Sequence, residues 1–212
     1  GVVNVTITAY ENDKFLANST TVTITVNKLP SIISIENKTL EVDVDGNVQV
    51  VATSNNPNGE FSYESSNVTI AVVDANGFVS GIIGRTVNVT VTALGDDRYL
   101  ENSTKVRVIV NKLNPTIEIN NEPITVDVND IEIIDPVMLE SDWVFTYESI
   151  NESIATVDGY GKVTGIVGGT VNITVILNES SKYLGTERNV TVKVNKIPTE
   201  ITFDEDALSV DL

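Results

Sequence analysis

The 212 residues are 41% hydrophobic, contain neither Cys nor His, and carry a formal net charge of −17. Lacking thiols and imidazoles, the chain forms no disulfide and has neither the common nucleophile–base pairs nor the usual zinc ligands, so no enzyme is expected. Its acidity opposes nucleic acid and anionic membrane surfaces, and no apolar run approaches the ~18 residues of a membrane span.

Taken in chain order, the first predicted elements are two strands within Gly1–Lys28, "VVNVTITA" and "STTVTITV", ending at Asn27-Lys28. From Leu29 the strands read "SIISIE", "TLEVDV", "NVQVVATS", "EFSYES" and "TIAVVD". The turn "DANG" at Asp74–Gly77 then leads into "FVSGI". "TVNVTVTA" alternates Val87, Val89 and Val91 against Asn88, Thr90 and Thr92, and "KVRVIV" alternates likewise. Period-2 alternation is the mark of a half-buried antiparallel strand. A second Asn-Lys pair closes this stretch at Asn111-Lys112, and a third lies at Asn195-Lys196, each 84 positions after the last. Between Leu29–Lys112 and Leu113–Lys196 the match is ungapped, with 33 of 84 positions identical.

Such periodicity defines the organisation. Residues 1–28 are the C-terminal part of one repeat, 29–112 and 113–196 are whole repeats, and 197–212 hold the first strands of a further one. Seven or eight short strands per repeat, with frequent turn signals and no 3.6-residue apolar stripe, predict an all-β, two-sheet Ig-like sandwich. The joints "VNKLP" and "VNKIP" leave about two residues between modules, and Pro30 and Pro198 stiffen them. The expected product is a rod of tandem Ig-like sandwiches repeating every 84 residues.

"SNVTIAVVDANGFVSGIIGRTVNVTV" and "NESIATVDGYGKVTGIVGGTVNITV" resemble the signature of bacterial Ig-like group 2 repeats. The ending "GDDRYLENSTKVRVIVNK" resembles related modules of adhesin-like surface proteins, notably those of methanogenic archaea. The resemblance implies a β-sandwich in a long, multi-repeat, extracellular cell-surface protein. Two positions depart from the pattern: Arg85 stands where Gly is expected, and Trp143 stands where the preceding repeat has Gly59.

Four features invite chemistry. Ten Asn-x-Ser/Thr sequons, at Asn4, Asn18, Asn37, Asn67, Asn88, Asn102, Asn151, Asn172, Asn178 and Asn189, are candidate glycosylation sites. The alternative is that Asn- and Thr-rich outer strand faces generate such triplets by accident. The triplets Lys14-Phe15-Leu16, Arg98-Tyr99-Leu100 and Lys182-Tyr183-Leu184 recur in the long turn between the last two strands. There the ring and Leu are expected to plug one end of the core, with a sugar or protein contact as the alternative. Acidic clusters at Asp43/Asp45, Asp96-Asp97, Asp127/Asp130 and Asp204-Glu205-Asp206 read as solvated surface. A calcium ion at a module junction is the alternative, although Ser54 stands where a calcium loop opening at Asp43 would place its bidentate Glu. Finally, Lys28, Lys112 and Lys196 sit at module boundaries, outside the apolar strands in which an intramolecular Lys–Asn cross-link would form, and Trp143 is expected in packing.

The expected role is a non-enzymatic cell-surface stalk, whose modules project a distal adhesive region and contact neighbouring repeats of the same chain. The alternative is a subunit of a self-assembling extracellular filament whose strands are completed by neighbouring copies. Host or microbial surface glycans or proteins are the further partners considered. No cofactor is expected. Because no charged segment followed by an apolar stretch opens the chain, any leader or anchor is expected outside this sequence.

Overall fold

Residues 1–141 and 143–202 are described by the computed structural model, in which every regular element is a β-strand. The chain divides into two units, Gly1–Asn111 and Lys112–Leu212.

In the first unit, β1 (Val2–Ala9) and β2 (Asn18–Thr25) form an antiparallel hairpin with Val5 opposite Val22. Then follow β3 (Ile33–Ile35), β4 (Thr39–Asp43), β5 (Asn47–Gln49), β6 (Ala52–Ser54), β7 (Phe61–Ser65), β8 (Ala71–Val73), β9 (Phe78–Gly81), β10 (Thr86–Ala93) and β11 (Asn102–Asn111). One sheet has the order β4-β11-β10-β7, faced by the smaller sheets β5-β9-β8 and β3-β6. The alternation of "TVNVTVTA" becomes a register: Val87 pairs with Val108 and Val89 with Val106, and all four are buried. Val42, Val44, Val50, Ile70, Ala71 and Val79 close the core. Each such Val contributes on the order of 1.5–3 kcal/mol by leaving water, which is how a disulfide-free sandwich holds together.

The second unit repeats the plan. It contains β12 (Ile124–Asp127), β13 (Ile131–Ile133), β14 (Phe145–Ser149), β15 (Ala155–Val157), β16 (Lys162–Gly165), β17 (Gly169–Leu177) and β18 (Thr186–Asn195). Its sheets have the orders β12-β18-β17-β14 and β13-β16-β15. The β3–β6 pair of the first unit is here one isolated bridge, Ile119 to Pro136. Pro136 stands where the first unit has Ala52, and without an N–H it cannot extend a ladder.

Two expectations are modified. The stretch "NVQVVATS" is not one strand: β5 pairs with β9 while β6 pairs with β3, so the chain changes sheet at Val50–Val51. Val50 donates its N–H to Gly77 at 2.9 Å, whereas the Val51 carbonyl accepts from Glu36 at 3.2 Å. At the end of the chain, residues 197–202 form no strand, and Asp204, Glu205, Asp206 and Val210 lie outside the described residues.

Within each unit the first strand of the large sheet runs parallel to the last. β4 pairs with β11 from Thr39–Arg107 to Asp43–Asn111, and β12 pairs with β18 from Ile124–Val192 to Asp127–Asn195. The segment before each of these first strands is tied to the loop that leads into the same last strand. Leu29 bridges Tyr99, and Leu113 bridges Tyr183. Entry and exit of each sandwich therefore lie at opposite ends of its last strand.

Candidate functional site

Side chains that recur at one register position are the natural places to look for a site, and the turns come first. In "DANG" the Asp74 Oδ1 accepts the N–H groups of Asn76 at 2.8 Å and Phe78 at 2.9 Å. Asp158 does the same for Tyr160 and Lys162. The turns are completed by Gly77 and Gly161, at φ +81° and +78°, each lying over a Tyr ring, Tyr63 or Tyr147, which a Cβ would strike. Burial pushes both phenols above their ordinary pKa, and nearby Asp135 adds to the effect at Tyr147. The Asp and Gly of the signature thus shape a hairpin over a ring.

The end loops share a second device. Asn12 Oδ1 accepts the N–H groups of Lys14 and Phe15, Asp96 Oδ1 those of Arg98 and Tyr99, and Ser180 Oγ those of Lys182 and Tyr183. These three acceptors are spaced by 84 residues and differ in chemistry but not in task. The N–H groups of Arg98 and Tyr99, then the Asn56 amide at 2.8 Å, hold the Asp96 carboxyl below its ordinary pKa, and Lys28 adds a weaker attraction. The basic-aromatic-Leu triplets follow this turn. Tyr99 and Tyr183 are half-buried, and Tyr183 packs on the core of its unit, but Leu100 and Leu184 are exposed. Of the triplet, the ring alone is sheltered, while the Leu N–H donates to the carbonyl of Leu29 in the first unit and Leu113 in the second. In the hairpin β1–β2 both Phe15 and Leu16 are exposed.

Trp143 is buried in the second core, edge-on to Phe145 at 6.1 Å and Tyr183 at 5.6 Å. Its Nε1 finds no acceptor among the described residues. Lys112 reaches the same loop, its ammonium 2.5 Å from Glu179 Oε1 and 2.6 Å from the Ser180 carbonyl. The departure at Arg85 is innocuous in backbone terms. The Arg85 carbonyl accepts from Val110, and at its counterpart Gly169 a Cβ would make ordinary contacts with Ile154. Near the opening of the suspected calcium loop, Asp45 sits in the left-handed region at φ 62°, as does its counterpart Asn129 at φ 65°. Among the described residues, no group of three or more His, Cys, Asp or Glu is placed to hold a metal ion.

The sequons fall into distinct settings. Asn4, Asn88, Asn172 and Asn189 lie within strands β1, β10, β17 and β18, all exposed except half-buried Asn172. Asn18 and Asn102 open β2 and β11, and Asn102 Nδ2 donates to the Ser31 carbonyl at 2.7 Å. Asn37 and Asn178 are exposed in connections. Asn67 and Asn151, exposed in the β7–β8 and β14–β15 turns, bond their own triplet. Asn67 Oδ1 accepts Thr69 N–H at 3.0 Å and Thr69 Oγ1–H at 2.7 Å, and Asn151 accepts Ser153 N–H at 3.1 Å and its Oγ–H at 2.6 Å.

No curated protein matches the chain. Among solved structures it is similar to domains 4 and 5 of the S-layer protein SbsC, at 18% identity over 78% of this chain and 97% of that one, with TM-score 0.34. It is also similar to Drosophila N-cadherin EC1-3, at 14% identity over 85% and 74%, with TM-score 0.32. The insect immune protein hemolin is similar at 10% identity over 77% of this chain, which spans 46% of hemolin, with TM-score 0.41. The pattern describing the bacterial Ig-like domain (group 2) matches residues 30–97 and 140–186. These matches take in both Asp-x-x-Gly turns and more than half of the residues, and the chain belongs to the bacterial Ig-like domain (group 2) family.

Proposed function

We propose that this chain is a non-enzymatic stalk segment of an adhesin-like extracellular protein, in which Ig-like modules hold a distal binding region away from the cell surface. The observation that carries the reading is the parallel pairing, in the large sheet of each unit, of its first strand with its last. A module entered beside Tyr99 and left at Asn111 advances along β11, whose ten residues span about 33 Å at ~3.3 Å per residue. Every added copy therefore lengthens the chain's reach, which repeat proteins exploit. Surface glycans or proteins are the partners of the distal region, and neighbouring repeats are the partners of the stalk.

The test is small-angle scattering on chains carrying one, two and four copies of Leu29–Lys112. A maximum dimension that grows by about 30–40 Å per copy supports the stalk. Growth slower than proportional to copy number contradicts it.

A further inference from the structure

We propose that Asn67 and Asn151 are the N-glycosylation sites of the folded chain, one at the same position in each module, and that the remaining sequons are passed over. This inference is independent of the stalk reading. The carboxamide nitrogen is a poor nucleophile because its lone pair is delocalised into the carbonyl. A hydroxyl donated to the carboxamide oxygen favours the imidate form, in which Nδ2 gives up a proton and keeps a lone pair free to attack. The triplet's own Ser or Thr can serve only where the backbone folds it back onto the Asn.

In a strand the triplet is stretched out, with residues i and i+2 about 6.6 Å apart along the axis. In β1–β2 and β17–β18 the hydroxyls go across the ladder instead. Thr174 donates to Asn189 at 2.8 Å and Thr191 to Asn172 at 3.0 Å, so the two sequons of β17 and β18 exchange partners. Thr23 likewise donates to Asn4 at 2.8 Å, while that sequon's own Thr6 faces Thr21. At Asn102 the nitrogen itself is committed to Ser31. At Asn178 the Ser180 Oγ accepts the Lys182 and Tyr183 amides of the end-loop turn, and its hydroxyl makes no hydrogen bond to Asn178 among the described residues.

Among the described residues, Asn67 and Asn151 are the two sequons at which the triplet's own hydroxyl bonds its Asn. Their Oδ1 atoms accept the triplet's own hydroxyl and amide, and no hydrogen bond engages either Nδ2 among the described residues. The turns are also anchored. The Asn67 carbonyl accepts from Ile70 and from fully buried Ala71, and the Asn151 carbonyl accepts from Ile154 and fully buried Ala155. The acceptor is thus preformed on a rigid base at the surface. The donor is an oligosaccharide on a polyprenyl diphosphate, presented by an oligosaccharyltransferase. Nδ2 attacks the anomeric carbon and a C–N bond forms. The bond from that carbon to the phosphate oxygen breaks, its electron pair leaving on the diphosphate, and the Nδ2 proton passes to a base of the transferase.

The experiment exposes the whole folded chain, and the same chain unfolded in urea and diluted immediately before assay, to one transferase and donor. The free peptide spanning Ser66–Ile70 is included in the same tube. Site occupancy is read by peptide mass spectrometry. The expected result is occupancy of Asn67 and Asn151 at least tenfold above every other sequon in the folded chain, with this preference lost in the unfolded one. Equal occupancy of the strand sequons in the folded chain overturns the proposal. So does a folded chain unmodified at Asn67 and Asn151 while the free peptide is modified.

Discussion

A Cβ on Gly165 would lie 2.5 Å from the carbonyl oxygen of Asp127, and one on Gly81, the matching residue of the first unit, would lie 2.7 Å from that of Asp43. These contacts join the end of β16 to β12 and of β9 to β4, where the two layers of each sandwich meet. The obstacle is backbone, which cannot swing aside as a side chain would. Gly165→Ala and Gly81→Ala should each cost on the order of 1–3 kcal/mol in urea unfolding, the usual penalty of overpacking. Gly159, with nothing within 4 Å of its Cβ position, should accept Ala with a change within about 0.5 kcal/mol.

Leu177 and Ile173 are buried in the second core, whereas Ile133 on β13 is 56% exposed. Leu177→Ala should lower stability by about 2–5 kcal/mol through lost transfer energy and the cavity left behind. Ile133→Ala should cost far less. Trp143, the chain's single Trp, touches the same core and reports the transition by fluorescence without any label.

Asp96 gives a pH dependence whose sign follows from its contacts. Its folded-state pKa lies below the ordinary 3.8, first through the N–H groups of Arg98 and Tyr99 and then through Asn56. The unfolded chain therefore takes up the proton first as pH falls. The contribution to stability is complete above the ordinary value and drains away as pH drops through the folded value. Asp96→Asn should flatten the acid-side slope of the urea midpoint between about pH 2 and 5. The turn itself should persist, since Asn12 already accepts the same two amides in the hairpin copy.

Much of this was legible in the sequence because burial and strand phase are coupled. Val87, Val89 and Val91 could be assigned inward from alternation alone, and an 84-residue spacing carried the assignment to Val171, Ile173 and Val175. The change of sheet at Val50–Val51 was not legible. The inward phase runs unbroken from Val48 through Val50 to Ala52, and a pattern on one strand does not reveal which partner it pairs with. Of the candidate site, the Asn67–Asn151 pairing was visible by register, but the crossed hydroxyls of Thr174 and Thr191 depend on cross-strand register. The shared role of Asn12, Asp96 and Ser180 was hidden by their different side chains. Its signal was the recurrence of a short oxygen acceptor two residues before each basic-aromatic-Leu triplet.

Each sandwich is entered at one end of its last strand and left at the other. The chain has no Cys, so two labels can be placed without background. Asp97, beside the entry at Leu29, and Asp43, paired with Asn111 at the exit, are both exposed. Spin labels on Asp97→Cys and Asp43→Cys, read by pulsed dipolar spectroscopy, should give one narrow distance distribution centred at about 30–40 Å. A distribution centred below about 20 Å would place entry and exit at the same end and contradict the account.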